Sequence, residues 1–293
     1  MPLETRPLDG SLACEIVGQR LWEPEDDRVT TEISALWAHH PVLVFRRQAL
    51  SEDELAGFSA RFGPLERTVR TDWASPVRPE IGLISNLKDA QARPIGGLGD
   101  GEIQWHSDQS YMMAPATGAM LYAIELPPEG GSTSWVDLSA AYAGLSDRLK
   151  RAVEGRRAIF SYVKRLAGYQ GVDRAISEDA KRKTPPVVHS LVHTHPVTGK
   201  KALYLDATTT IGIDGMDDAS GTALLDEIYR SATRPQFVYR HRWQVGDVLL
   251  WDNSSTMHRR EPFDPAARRL MKRTTMFLSG DRHIVPAGSL AAA

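Results

Sequence analysis

The chain has 293 residues, enough for one large domain or two small ones with a sizeable core. A formal net charge of -2 excludes a general polyanion binder, and the one cysteine, Cys14, excludes an internal disulfide framework or a cysteine-built metal cluster. No apolar run approaches the ~20 residues of a bilayer span, and MPLETRPLDGSLACEIV lacks the features of a secretion signal, so a soluble, cytoplasmic protein is expected.

Taken in chain order, VTTEISALWAHH places Ile33, Leu36, Trp37 and His40 at helical spacing before Pro41 stops it. PVLVFR reads as a buried strand. SEDELAGFSARFG carries a capping box in Ser51 and Glu54, with Leu55, Phe58 and Phe62 on one face and Gly63-Pro64 as its end. Residues 64–103 are rich in Pro, Gly and Asp and hold one short strand candidate, IGLIS; irregular connections this long are usually functional or mobile. Helices are expected around Leu138 to Glu154 and Thr222 to Ala232. The second half otherwise breaks into strands, KALYLD, FVYRHRW, VLLWD and RLMKRTTMFL, and the turn QVGD predicts a hairpin. The Ala-rich tail, about 285–293, is expected to be flexible. This pattern predicts one domain over 1–293, mainly β with helical insertions, a sandwich or barrel and not an alternating βαβ fold. GGLGDGEIQW contains no GxGxxG opening a helix, so no nucleotide fold is expected.

IQWHSDQSY sets His106 and Asp108 two positions apart among large apolar and aromatic residues. A buried carboxylate without a cationic partner is expensive. On a strand the two side chains share a face, and imidazole with carboxylate suits Fe(II), Mn(II) or Zn(II). His258 is the best third ligand, because it follows the buried-looking strand VLLWD and its polar end. His193 and His195 have the same spacing, but THPVTGK reads as a turn and both are expected to be structural or exposed; His39 and His40 end a helix. In RRLMKRTTMFL a strand puts Arg269, Met271, Arg273 and Thr275 on one face, with the arginines roughly 13 Å apart. On an inner face each arginine needs an anion, which its planar fork can hold bidentately; the alternative is an outward basic face. GGSTSWVDL offers Thr133 beside two glycines that permit close backbone approach, or simply an ordinary turn.

HSD at 106–108, His258 and an arginine eleven residues later resemble the Fe(II)/2-oxoglutarate-dependent dioxygenases. More narrowly they resemble the TauD/TfdA branch, which contains taurine dioxygenase and 2,4-dichlorophenoxyacetate dioxygenase. The likeness runs through VLVFR, FSARFGPLE, WHSD, PPEGGSTSW, HTHPVTGKKALYL, FVYRHRWQVGDVLLWDN and MHRREPFDPAARRLMKRTT, most of the chain. HxD alone is weak; HxD, GGxT, WDNxxxxH and the two arginines in this order are specific.

The resemblance implies a double-stranded β-helix (jelly roll, cupin-like), with about 64–103 as the active-site loop. It implies that His106, Asp108 and His258 hold Fe(II), and that Arg269, assisted by Thr133, pairs with the distal carboxylate of 2-oxoglutarate, the co-substrate consumed with O2. Asp108 would be kept ionised by the iron, and its presence points to hydroxylation and away from the halogenation of relatives with a small residue there. Succinate and CO2 would be co-products, and many relatives go on to cleave a C–O or C–S bond. Arg273 matches a position that meets the anionic end of the substrate in the sulfonate and aryloxyacetate enzymes; the alternative is a fixed ion pair with a protein carboxylate. A small anionic organic substrate is therefore expected, a carboxylate, sulfonate or sulfate ester. Tyr111, Met112 or Trp73 would suit an apolar wall for an aromatic acid, and equally core packing; Trp73, Asn86 and Arg93 are candidate loop contacts.

Two positions depart from the pattern. Glu102 stands where the taurine enzyme resembles an asparagine, which counts against taurine itself, and Asp206 replaces an asparagine common in relatives. A homo-oligomer is implied, with no membrane or nucleic-acid partner; only an arginine-rich C-terminal segment would favour nucleic acid. The competing readings are a zinc hydrolase on the same ligands and a non-catalytic jelly-roll binding protein.

Overall fold

The structure, a computed structural model, describes residues 2–8, 12–22, 27–68, 70–167 and 182–290. Strands β1 (Thr5–Pro7) and β2 (Ala13–Ile16) precede α1 (Asp27–His39) and β3 (Val42–Phe45). In α2 (Glu52–Ala60) the expected capping box is complete: Ser51 Oγ accepts from the Glu54 amide and the Glu54 carboxylate from the Ser51 amide. The 64–103 connection carries β4 (Ile81–Ser85) and β5 (Gly97–Leu98) and runs into β6 (Ile103–His106). Then come β7 (Gly118–Glu125), β8 (Thr133–Asp137), α3 (Leu138–Ala143), α4 (Asp147–Val153), β9 (Arg157–Phe160) and α5 (Tyr162–Ala167). The remainder comprises β10 (Val187–Ser190), β11 (Val192–Thr194), β12 (Lys201–Leu203), β13 (Thr210–Ile213), α6 (Asp218–Ala232), β14 (Val238–His241), β15 (Val248–Asp252), β16 (Thr256–Arg260), β17 (Leu270–Met276) and β18 (Ser289–Leu290).

An eight-stranded sheet, β1-β2-β3-β15-β7-β17-β4-β5, faces a four-stranded sheet, β14-β8-β16-β6, in the jelly-roll arrangement. Strand alternation decides what lies between them. Val42, Val44, Trp251 and Met271 of the large sheet meet Trp135 and Tyr239 of the small one. Leu43, Phe45 and Met276 point the other way, into a cluster with Ile33 and Trp37 of α1 and Leu55 and Phe58 of α2. Each large apolar side chain buried in this way contributes about 1.5–3 kcal/mol. The same alternation settles the arginine-rich strand. Lys272 and Thr274 of β17 face α2, where they meet Glu52 at 3.0 Å and Ser59 at 2.7 Å, so Arg273 points inward.

Several expectations shift. QVGD makes no hairpin: β14 and β15 belong to different sheets, and the turn crosses between them with Gly246 at φ 87° and its carbonyl accepting from Gln48. The helix expected over Leu138 to Glu154 is two, because Gly144 closes α3 and Ser146 caps α4. The tail expected to be flexible is paired as far as Leu290, β18 running antiparallel to β10; residues 291–293 lie outside the described residues. No helix among the described residues is long and apolar enough to cross a membrane.

Candidate metal centre and the anion pocket beside it

Strands β6 and β16 pair with His106 opposite His258, so two imidazoles 152 positions apart in the chain lie with ring centroids 4.0 Å apart. Asp108 joins them, but not from a strand. The chain leaves β6 at Ser107, whose hydroxyl donates to the Asn253 and Thr256 carbonyls. Gln109 then adopts a left-handed φ of 58°, a conformation costing a non-glycine residue about 1–2 kcal/mol. The turn is held from outside. Asn253 accepts from the Asp108 amide and donates to the Asp108 carbonyl, both at 2.9 Å, and Gln109 donates to Glu66 at 2.6 Å.

The Nε2 atoms of His106 and His258 each lie 3.9 Å from an Asp108 oxygen, and the three candidate ligand atoms fall within 4.8 Å of one another. All three residues are buried. His106 Nδ1 faces the Gln104 carbonyl at 2.7 Å, which places its proton there and leaves the Nε2 lone pair for the cluster. Burial pushes His258 down to about 4 and His106 well below its ordinary value, so both are neutral and ligand-competent at pH 7. Burial, the largest single influence, would raise the Asp108 carboxyl, but the charge of Arg273 together with His258, His106 and Arg165 outweighs it and holds the group below the usual carboxylate range. Arg273 Nη1 lies 3.1 and 3.3 Å from the two Asp108 oxygens. The cationic partner that a buried carboxylate requires is thus present in the protein itself.

Arg269, just before β17, is 1% exposed, and its Nε and Nη1 have no hydrogen-bond partner among the described residues. Burial, and then the nearby Arg260 charge, push its guanidinium down to about 9. Such a group calls for an anion. Thr133 Oγ accepts from the Trp243 indole at 3.0 Å, so its own proton is left to donate. Gly131, at φ 64°, stands where a Cβ would come within 3.4 Å of Arg269 Nε.

The other expected residues divide. Tyr111 is half-buried against Tyr162 of α5, with ring centroids 4.7 Å apart. Trp73 is also half-buried and packs over Gly97. Asn86 is consumed by structure, donating to the Ala267 carbonyl and accepting from the Arg269 amide. Arg93 is exposed and pairs with Asp89, and Glu102 is exposed beyond the buried cluster. His195 joins Asp252 and His283 in a second buried group of potential ligands. There, however, His195 Nδ1 accepts from the Val197 and Thr198 amides, so Nε2 carries the proton and the group is a hydrogen-bond knot.

Sequence reasoning missed Glu66, Ser110 and Arg260, because nothing local distinguishes them, and it quoted Asn253 within WDN without giving it a role. It noted Asp206 without a role. Asp206 is 1% exposed, and its Oδ2 accepts from Ser107 N at 3.3 Å and Ser110 Oγ at 2.7 Å, while Oδ1 accepts twice from Thr208. It therefore anchors the turn that presents Asp108. Asp206→Ala leaves these donors unmet and should cost about 3 kcal/mol in urea unfolding. Metal affinity should fall by about 10- to 100-fold in a titration, as when an outer-shell support is lost. Unchanged metal affinity would refute the anchoring role.

Residues 4–275 match the model of the family described as "Taurine catabolism dioxygenase TauD, TfdA family". The chain is 36% identical to the alpha-ketoglutarate-dependent 2,4-dichlorophenoxyacetate dioxygenase of Cupriavidus pinatubonensis, over 94% of this chain and 98% of that protein. It is 32% identical to the (S)-phenoxypropionate/alpha-ketoglutarate-dioxygenase of Sphingobium herbicidovorans, over 90% and 91% of the two chains. Among solved structures, AAD-2 in complex with Mn(II) and N-oxalylglycine superposes with a TM-score of 0.80 at 30% identity, covering 95% of this chain and 98% of that one.

Proposed function

The chain belongs to the taurine catabolism dioxygenase TauD, TfdA family, a non-haem Fe(II)/2-oxoglutarate-dependent dioxygenase, and from that premise we propose the roles of its residues and the class of its substrate. His106, Asp108 and His258 hold the iron: two neutral imidazoles and one carboxylate are a donor set suited to Fe(II) with positions left open. Arg269 and the Thr133 hydroxyl receive the distal carboxylate of 2-oxoglutarate. The observation that carries this assignment is the buried Arg269 guanidinium with two N–H nitrogens unpartnered among the described residues, which a dicarboxylate satisfies and a zinc hydrolase has no use for. When bound, iron and 2-oxoglutarate use O2 to place one oxygen atom on a substrate C–H bond and the other in succinate, with loss of CO2.

The protein's own contribution is placement and exclusion of water. Gln104 fixes the His106 tautomer, and Asn253 fixes the Asp108 peptide on both sides. Trp135 and Trp251 flank His258 with ring centroids at 6.3 and 5.1 Å, keeping its surroundings dry. Anaerobic addition of Fe(II) and then 2-oxoglutarate to metal-free protein is the test, followed as a visible absorption band that requires both. Iron binding without such a band on adding the keto acid overturns the assignment.

Arg273 selects the substrate. Its N–H groups lie on the Asp108 oxygens, and a cation taking those oxygens leaves the guanidinium for an anion. The named relatives act on aryloxyacids, and a carboxylate, sulfonate or sulfate ester fits the same fork. Tyr111, packed on Tyr162, is the candidate for an apolar wall of the substrate site. With 2,4-dichlorophenoxyacetate, taurine and an alkyl sulfate as probes, Arg273→Ala should raise KM for the accepted anion by about 10-fold or more. Substrate-free 2-oxoglutarate consumption should stay within about 2-fold, a split that only a substrate role produces. Unchanged KM sinks it. A homo-oligomer in the cytoplasm is also proposed, on the family likeness and on the single, buried Cys14; light scattering tests the assembly.

A further inference from the structure

Arg260 is 4% exposed, and its Nε and Nη1 have no hydrogen-bond partner among the described residues. A guanidinium left that way in a protein interior is costly unless an anion joins it. Asp100 acts on it through charge alone. Its position is informative. Arg260 lies two residues beyond His258 on β16, hence on the same face, and sits opposite Thr133 of β8 in register. Its guanidinium carbon lies 5.5 Å from the centre of the Phe263 ring, and that of Arg269 lies 5.8 Å from the same ring. Two buried like charges thus share one aromatic ring, with four unpartnered N–H nitrogens between them.

The remaining nitrogen of Arg260 points elsewhere. Nη2 donates to the carbonyls of Leu98, at 2.8 Å, and of Gly101. The Phe263 amide donates to the Asp100 carbonyl between them, at 3.2 Å. Leu98 holds a left-handed φ of 68°, and this turn feeds β6 and His106.

Building on the assignment of Arg269 and Thr133 above, we propose that Arg260 is a second guanidinium for the distal carboxylate of 2-oxoglutarate, and that it ties the 97–102 turn to occupancy of that pocket. Arg260 is a binding and positioning residue in this role. Bound carboxylate draws the guanidinium into one orientation, and the two carbonyls that share it hold the turn in place.

Pyruvate provides the control ligand, since it keeps the keto acid and lacks the distal carboxylate. In anaerobic titrations of the Fe(II)-loaded protein, Arg260→Met, which keeps the packing of the stem, should weaken 2-oxoglutarate by about tenfold or more. Pyruvate and Fe(II) affinities should be unchanged. In the wild-type protein, which needs no variant to fold, 2-oxoglutarate but not pyruvate should slow amide exchange in residues 97–102. Equal loss of both keto acids, unchanged 2-oxoglutarate affinity, or identical exchange with either ligand each overturns the proposal. Arg269→Met separates the two levels: if it also leaves 2-oxoglutarate affinity unchanged, the location of the carboxylate pocket is wrong, whereas an effect confined to Arg269→Met removes Arg260 alone.

Discussion

Asp108→Ala should lower Fe(II) affinity by at least about 100-fold and reduce turnover to about 1% or less, because it removes the one anionic donor of the cluster. The loss is electrostatic as well as geometric. In the wild-type protein Asp108 offsets the Arg273 charge, whose Nη1 lies 3.1 Å away. Without it a metal cation would face two neutral imidazoles and an uncompensated guanidinium. The fold should survive, since Asn253 grips the backbone of residue 108 and not its side chain. Equilibrium titration of Fe(II), with thermal unfolding alongside, makes the measurement. Wild-type iron affinity in a folded Asp108→Ala protein would remove Asp108 from the ligand set. Asp108→Asn sharpens the contrast, because it keeps the shape and loses only the charge.

The second large effect is expected at Arg269. Truncating one partner of a buried charge pair costs about 2–5 kcal/mol, so Arg269→Met should weaken 2-oxoglutarate between about 30-fold and about 4,000-fold while Fe(II) affinity stays unchanged. The same substitution has the opposite expected effect on the ligand-free protein. There Arg269 is a buried cation whose Nε and Nη1 lack partners among the described residues, and an apolar side chain of similar volume relieves that penalty. The ligand-free variant should therefore be at least as stable as the wild type in urea unfolding, and gain less from added 2-oxoglutarate. A structural arginine would behave the other way: its removal would destabilise the ligand-free protein and leave co-substrate affinity alone.

Much of the site was legible because the chemistry imposes residue types at fixed offsets. His106, Asp108 and His258 converge as the HxD spacing and the distant histidine imply. Arg269 and Arg273 both occupy inner positions, and Nε and Nη1 of the former have no hydrogen-bond partner among the described residues. The route differed, however. The HxD step was expected to be extended, whereas Asp108 arrives by a turn closed by Ser107 and strained at Gln109. Asn86 and Arg93, singled out because they sit in an irregular loop, proved to be engaged in local bonds. The hairpin expected at QVGD failed for a related reason: a turn signal says that the chain reverses, not which sheet receives the next strand.

Sequence alone determined the mainly β class with helical insertions and the ionisable groups available as ligands and anion partners. These follow from periodicity and from the donor chemistry of side chains, both local properties. Only the tertiary structure decided which of those groups touch. Arg273 reaches Asp108 from 165 residues away, Asn253 clamps the same aspartate from 145, and Asp206 holds the turn from 96. Those distances along the chain are closed by sheet register and by core packing between the two sheets. They are free-energy balances summed over the whole fold, which no short stretch of residues contains.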